Sequence, residues 1–231
     1  MKINPEKLEE EIQLIIPEEG MGEKEEKKEP GKEIDLPEEL PILPIRESVL
    51  YPTMLLPLMV TQERLIRLIE AAVLANKKIG IVALKRKEKE GVEPEDLFEI
   101  GCGATILKMV KMPDNSLRLL IQGSARIRLT EITQREPFIR AKIVPLQDES
   151  EKTDLQGLLA AVKGIFQKVV EIAPNLPGEL AIMAMNIEEP GALADLMAST
   201  LNFPLADKQE ILETLNVKKR LEKANLSLHK E

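Results

Sequence analysis

Apolar and polar residues follow three different rhythms along this chain. Residues 41–60, PILPIRESVLYPTMLLPLMV, are almost wholly apolar but are cut by Pro41, Pro44, Pro52 and Pro57. Proline has no N–H to donate and fixes its own φ. The stretch therefore predicts short extended pieces at a sheet edge, and neither a helix nor a central strand. Its only charges are Arg46 and Glu47, so it must be buried or made to touch another chain. After it the rhythm turns helical. Thr61 can cap a helix to about Asn76, with Leu65, Leu68, Ile69, Ala72 and Val73 on one side. Lys77 and Lys78 then suit the negative end of the helix dipole. IGIVAL (79–84) reads as a central strand, and the charged KRKEKEGVEPED (85–96) as a loop.

Period-two alternation takes over next. Phe98–Val110 and Leu117–Gln122 read as the arms of a hairpin, turned by Met112-Pro113-Asp114-Asn115-Ser116. ARIRLTEI (125–132) sets Ile127, Leu129 and Ile132 against Arg126, Arg128 and Glu131. FIRAKIVPL (138–146) is a further strand ending at Pro145. Some six short strands around one helix, without βαβ repetition, predict a small, partly closed barrel.

The polar linker 148–152 leads into a wholly helical remainder. Thr153 or Asp154 opens a helix carrying Leu155, Leu158, Leu159, Val162, Ile165, Phe166, Val169 and Ala173 on one face. Pro174 and Pro177 break it. Helices follow at about 178–186, 190–201 and 205–214, with Pro190 at a helix start. Asn216 can cap a last helix, where Val217, Leu221, Ala224 and Leu228 step as a heptad seam. The seam still runs where the sequence stops, as expected of the start of a longer helix. The fold class is thus α+β, with a flexible acidic leader at 1–39, a β-rich part at 40–147 and a helical bundle at 153–231.

Charge sharpens this division. Of the net −8, residues 1–40 supply 14 acidic and 6 basic side chains, so the body is neutral. The run 20–33 is polar and broken by Gly and Pro, and a short apolar cluster, Ile12, Leu14, Ile15 and Ile16, precedes it; the expectation is a disordered tail, with a transient helix or docking motif at the cluster as the alternative. A neutral body with 2% aromatics argues against nucleic-acid binding, which draws on cations and stacking platforms. The single Cys102 excludes an internal disulfide. No stretch approaches the ~18 apolar residues of a membrane span, and the N-terminus lacks an apolar signal core. The expected setting is the cytoplasm.

Catalytic patterns are missing. Gly31-Lys32 is followed by Glu33, and Glu26 stands where a phosphate-binding loop needs its first glycine. The one histidine, His229, lies near the end, so no Ser-His-Asp triad or zinc cluster can be assembled. Gly101-Cys102-Gly103 reads as a bulge or a close approach. What remains is surface chemistry. Tyr51, Pro52, Met54, Leu55, Leu56, Met109 and Met112 are the candidate contacts to protein substrates, since extended apolar residues and flexible Met suit varied partners; the alternative is that most of them fill the barrel core.

These residues carry a family resemblance. Leu40-Pro41, Leu43-Pro44-Ile45-Arg46, Tyr51-Pro52 and Pro57-Leu58 are similar to the opening of the amino-terminal domain of the Lon family of ATP-dependent serine proteases. The likeness continues through Asp96-Leu97-Phe98-Glu99-Ile100-Gly101, the Pro113-Asp114 hairpin and ALADLMASTLNFPLADKQEILETLNVKKRLEK (192–223). It covers about residues 40–225 and leaves the leader unmatched. The resemblance implies a PUA-like pseudo-barrel followed by a helical bundle, which engages unfolded or damaged proteins at the mouth of a hexameric ring. It implies that ATP and magnesium belong to an AAA+ module, and peptide cleavage to a Ser-Lys module, neither of which is in this sequence. No cofactor or metal is expected on this chain. Val217, Leu221, Ala224 and Leu228 would begin the linking helix used in assembly. Two other readings stand beside this one: a free-standing adaptor or ligand-binding protein of the same fold, and a nucleic-acid-binding module.

Overall fold

The apolar runs at 39–45 and 78–83 become strands whose two faces are both covered. A computed structural model of the chain describes residues 35–85, 91–149, 155–174 and 176–228, which all fall within the compact unit Ile34–Glu231. The expectations for the apolar cluster at 12–16, for the leader up to residue 34, for a helix start at Thr153 or Asp154 and for His229 lie outside the described residues.

The strands are β1 (Glu39–Ile45), β2 (Leu55–Val60), β3 (Lys78–Ala83), β4 (Ile100–Lys111), β5 (Leu117–Gln134) and β6 (Arg140–Pro145). Helix α1 (Glu63–Ala75) lies between β2 and β3 in the chain. The sheet order is β2-β5-β4-β3-β1-β6, and β5 also pairs with β6. That second pairing closes β5, β4, β3, β1 and β6 into a ring. It is possible because 117–122 and 125–132, expected as separate strands, form one 18-residue strand. The first part of β5 pairs with β2 and the last part with β6.

One expectation is corrected here. The prolines were expected to exclude a central strand, yet β1 lies between β3 and β6. Its two ladders are staggered: Glu39–Pro41 pair with β6 and Ile42–Ile45 with β3. Ile42 donates to the Ile139 carbonyl on the β6 side, and Leu84 donates to the Ile45 carbonyl on the β3 side. Alternation therefore turns the Pro44 nitrogen toward β6, past the end of that ladder. It turns the Pro41 nitrogen toward β3, before that ladder begins. Neither proline removes a ladder bond.

The ring is filled by Leu40, Ile42, Val82, Ile127, Ala141 and Ile143. Space is tight enough that a Cβ on Gly103 would collide with Leu36, and one on Gly101 with the Ile81 carbonyl. The register shift at Gly103/Ala104 adds a bulge at the same place. The opposite faces of the same strands, with Leu43, Ile81, Cys102 and Ala104, join a second core. Burial on both faces is why β1 and β3 read as unbroken apolar runs.

That second core receives α1 through Leu68, Ile69 and Ala72, and five further helices. These are α2 (Gln156–Ile172), α3 (Glu179–Asn186), α4 (Pro190–Thr200), α5 (Leu205–Glu213) and α6 (Val217–Leu228). Pro190 does stand at a helix start, and the Asn216 side chain accepts from the Lys219 N–H. Thr61 is not the cap of α1: Gln62 occupies that position, without a side-chain cap bond.

Candidate functional site

The expected contact residues separate by burial. Tyr51 is 0% exposed, so it is a core residue and not a surface contact. Its hydroxyl donates to the Lys208 carbonyl on α5 at 2.8 Å. The turn that follows it lies across β5 at Gly123, where Thr53 donates to the Gly123 carbonyl and Gly123 to that of Met54. A Cβ on Gly123 would run into the Tyr51 carbonyl, so only glycine permits this crossing. Pro52, Met54, Leu56 and Met112 are half-buried, and Met54 and Leu56 pack on the core. Leu55 and Met109 alone of the seven are exposed.

Those two belong to a wing that extends beyond the ring. β3 stops pairing with β4 at Thr105, so the far half of β4 stands with the first half of β5 and with β2. Register fixes what the outer face of this wing presents. Leu55, Gln122 and Thr105 are neighbours across the three strands, then Pro57, Leu120 and Lys108, then Met59, Arg118 and Val110. Met59 is 65% exposed and Leu55 50%. Val110 and Leu107, the latter at the bulge between Ile106 and Lys108, are exposed as well. The sequence reading missed Met59, Leu107, Lys108, Val110 and Arg118. The alternation in LLPLMV carried the signal for Met59, whereas the others needed the register of the bulged hairpin.

Gly123 donates to the Met54 carbonyl, so the even residues of β2 turn their backbone to β5. Pro57 then faces the free edge, where it supplies no donor. This discourages pairing with another strand, and recognition here falls to side chains. The hairpin turn beside the wing is braced by Asp114, which accepts from the Ser116 N–H and hydroxyl. Those bonds hold its carboxyl below the usual range. A concavity of about 110 Å³ opens past the end of the β1–β6 ladder, between Pro44, Leu65, Val92 and Phe138.

The heptad seam is turned inward. Val217, Leu221, Ala224 and Leu228 are all buried, and α6 packs on α4. The resemblance implies a linking helix used in assembly; among the described residues the stripe is the inner face of a bundle helix. A 3.5-residue repeat serves either use, and only the neighbours distinguish them.

A charged cluster that sequence reasoning did not find joins the ring to the bundle. Arg126 on β5 donates to Asp195 on α4 at 2.6 Å and to the Leu212 carbonyl on α5 at 2.9 Å. Arg220 on α6, 0% exposed, donates to Asp148, to the Thr214 carbonyl at 2.7 Å, and lies 3.9 Å from Asp195. Burial pushes the Asp195 carboxyl up, against the pull of the Arg126 guanidinium. Every guanidinium bond ends on a carboxylate or a carbonyl, and Arg126, Arg220 and Asp195 are buried, so the cluster fastens the ring to the bundle. Cys102 is likewise sealed, its thiol pushed up to about 12 by burial. Among the described residues no group of His, Cys, Asp and Glu could hold a metal ion, and no helix is long and apolar enough to cross a membrane.

A closed, glycine-pinched ring with a β wing and a fastened helical bundle defines a class of α+β domain. Comparison with known proteins places it. Residues 39–230 match the model of the ATP-dependent protease La (LON) substrate-binding domain. The Lon protease of Dictyoglomus thermophilum is 44% identical over 207 residues, covering 89% of this chain and 26% of that protein. The Lon protease of Koribacter versatilis is 42% identical over 195 residues, covering 83% of this chain and 24% of that protein. The chain thus spans about a quarter of the length of these relatives. Among solved structures, the N-terminal domain of a Mycobacterium avium complex Lon protease superposes with a TM-score of 0.67 at 19% identity, covering 83% of this chain and 98% of that one. A Lon N-terminal domain protein from Xanthomonas campestris gives 0.57 at 18% identity, covering 80% and 95%. This chain belongs to the Lon substrate-binding domain family.

Proposed function

We propose that this chain is the substrate-recruiting amino-terminal region of an ATP-dependent Lon-type serine protease, and that it engages unfolded or damaged polypeptides through the outer face of its wing. Membership of a substrate-binding family carries the reading. The exposed Leu55, Met59, Leu107 and Val110 support its placement, since apolar side chains held in water on a rigid sheet suit clients that have lost their own cores. In this reading the chain itself neither hydrolyses ATP nor cuts peptides and holds no cofactor. Those steps, with ATP and magnesium, fall to other modules of a hexameric AAA+ assembly in the cytoplasm, which this region helps to form.

The test is crosslinking of the pure chain to a permanently unfolded, reduced and alkylated protein, mapped by residue, alongside suppression of that protein's aggregation. Crosslinks are expected on β2 and on the wing part of β4. The double variant Leu55→Ser, Met59→Ser should lose them while keeping its unfolding midpoint. Absence of binding, or ATP turnover by the pure chain, would overturn the proposal.

A further inference from the structure

The wing carries a charge pattern as well as an apolar one. Lys108 and Arg118 alternate with Leu120, Val110 and Met59 on its outer face, and none of the register positions of that face is acidic. The neighbouring Lys111 pairs with Glu70 of α1 at 3.6 Å, at the margin. Arg118 also acts on Asp114 of the adjacent turn, helping to hold that carboxyl low. The described residues thus leave a cationic and apolar checkerboard uncovered on this face.

From this we infer that the wing selects extended polypeptide segments in which carboxylates are interspersed with apolar side chains. Spacing agrees with extended segments. Successive outward residues on one strand lie about 6.8 Å apart, which matches alternate side chains of an extended client. Pro57 at the free edge discourages strand addition, so discrimination rests on side chains, where Lys108 and Arg118 meet carboxylates and repel cations. Nucleic acid would also suit two cations, but the outer face has no aromatic residue on which a base could stack.

This inference rests on the preceding proposal and is tested separately from it. Three labelled peptides with the same apolar residues, interspersed with Glu, Gln or Lys, are titrated with the whole chain by fluorescence anisotropy, beside a single-stranded DNA oligonucleotide. The Glu peptide should bind most tightly and the Lys peptide least, by roughly tenfold for two exposed pairs, and the gap should close with salt. The double variant Lys108→Glu, Arg118→Glu should reverse the order of the three peptides, a result that damage to the fold cannot mimic. Equal binding of all three peptides overturns the inference but leaves the preceding proposal standing. Binding of none overturns both. DNA binding that exceeds and displaces the Glu peptide assigns the checkerboard to nucleic acid and overturns the inference.

Discussion

Arg126 and Asp195 meet at 2.6 Å, 69 residues apart in sequence, with both side chains almost fully buried. Arg126 comes from the strand that closes the ring and Asp195 from the middle of a bundle helix. Together with Arg220 and Asp148 they tie the two parts of the chain where an apolar contact would have sufficed for burial alone.

Removing one partner of such a pair leaves the other charge buried without compensation, which costs about 3–5 kcal/mol. Asp195→Ala is therefore expected to lower stability by that amount in denaturant unfolding. Asp148→Ala, whose carboxylate is partly exposed, should cost less. Equal, small effects would show that the cluster contributes little.

Tyr51 is the only tyrosine, and burial raises its phenol well above the ordinary value of 10.0. The folded chain holds that proton more tightly than the unfolded chain does. The stabilising contribution is thus complete below 10.0 and declines as pH rises beyond it. Tyrosinate absorbance should appear together with loss of the circular dichroism signal, not before it. Tyr51→Phe should cost about 1 kcal/mol for the bond to the Lys208 carbonyl, and should flatten the alkaline decline.

At the acid end, the bond from Arg140 holds the Glu39 carboxyl below its ordinary value of 4.5. Folding here favours the ionised form. The benefit is present above the unfolded value and is lost as pH falls through the folded one. Glu39→Gln should be less stable than the parent near neutral pH. The two unfolding midpoints should converge below pH 4.5. A gap that persists in acid would show that the pair acts through packing.

Leu221 is 0% exposed at the centre of the seam. Leu221→Ala is expected to cost about 2–5 kcal/mol in unfolding, with no change in sedimentation of the folded chain at low denaturant. Loss of an oligomer without loss of stability would restore the seam to an intermolecular role.

Element positions were largely legible in the residues. The helical spacing in α1, Pro190 at a helix start, Asn216 as a cap and the Pro-Asp hairpin turn are local signals, and local backbone preference decides them. Pro41 and Pro44 do not distinguish an edge strand from a central one, because a proline excludes one hydrogen bond, not one strand. Whether that bond was needed depended on how two ladders were staggered. The residues left open for a similar reason whether Tyr51 faces the core or a client, since an extended apolar residue reads the same whether a helix lies over it or not.

By itself the sequence determined the α+β order of elements, the glycines at Gly101 and Gly103 and the family to which the chain belongs, because each depends on residue type and short spacing. Tertiary structure alone decided that Arg126 turns inward, that the seam at Val217, Leu221, Ala224 and Leu228 is spent within the bundle, and that Lys108, Val110, Arg118 and Met59 share one face. Those outcomes depend on strand register and on which surfaces meet, and both are set by contacts between residues far apart in the chain.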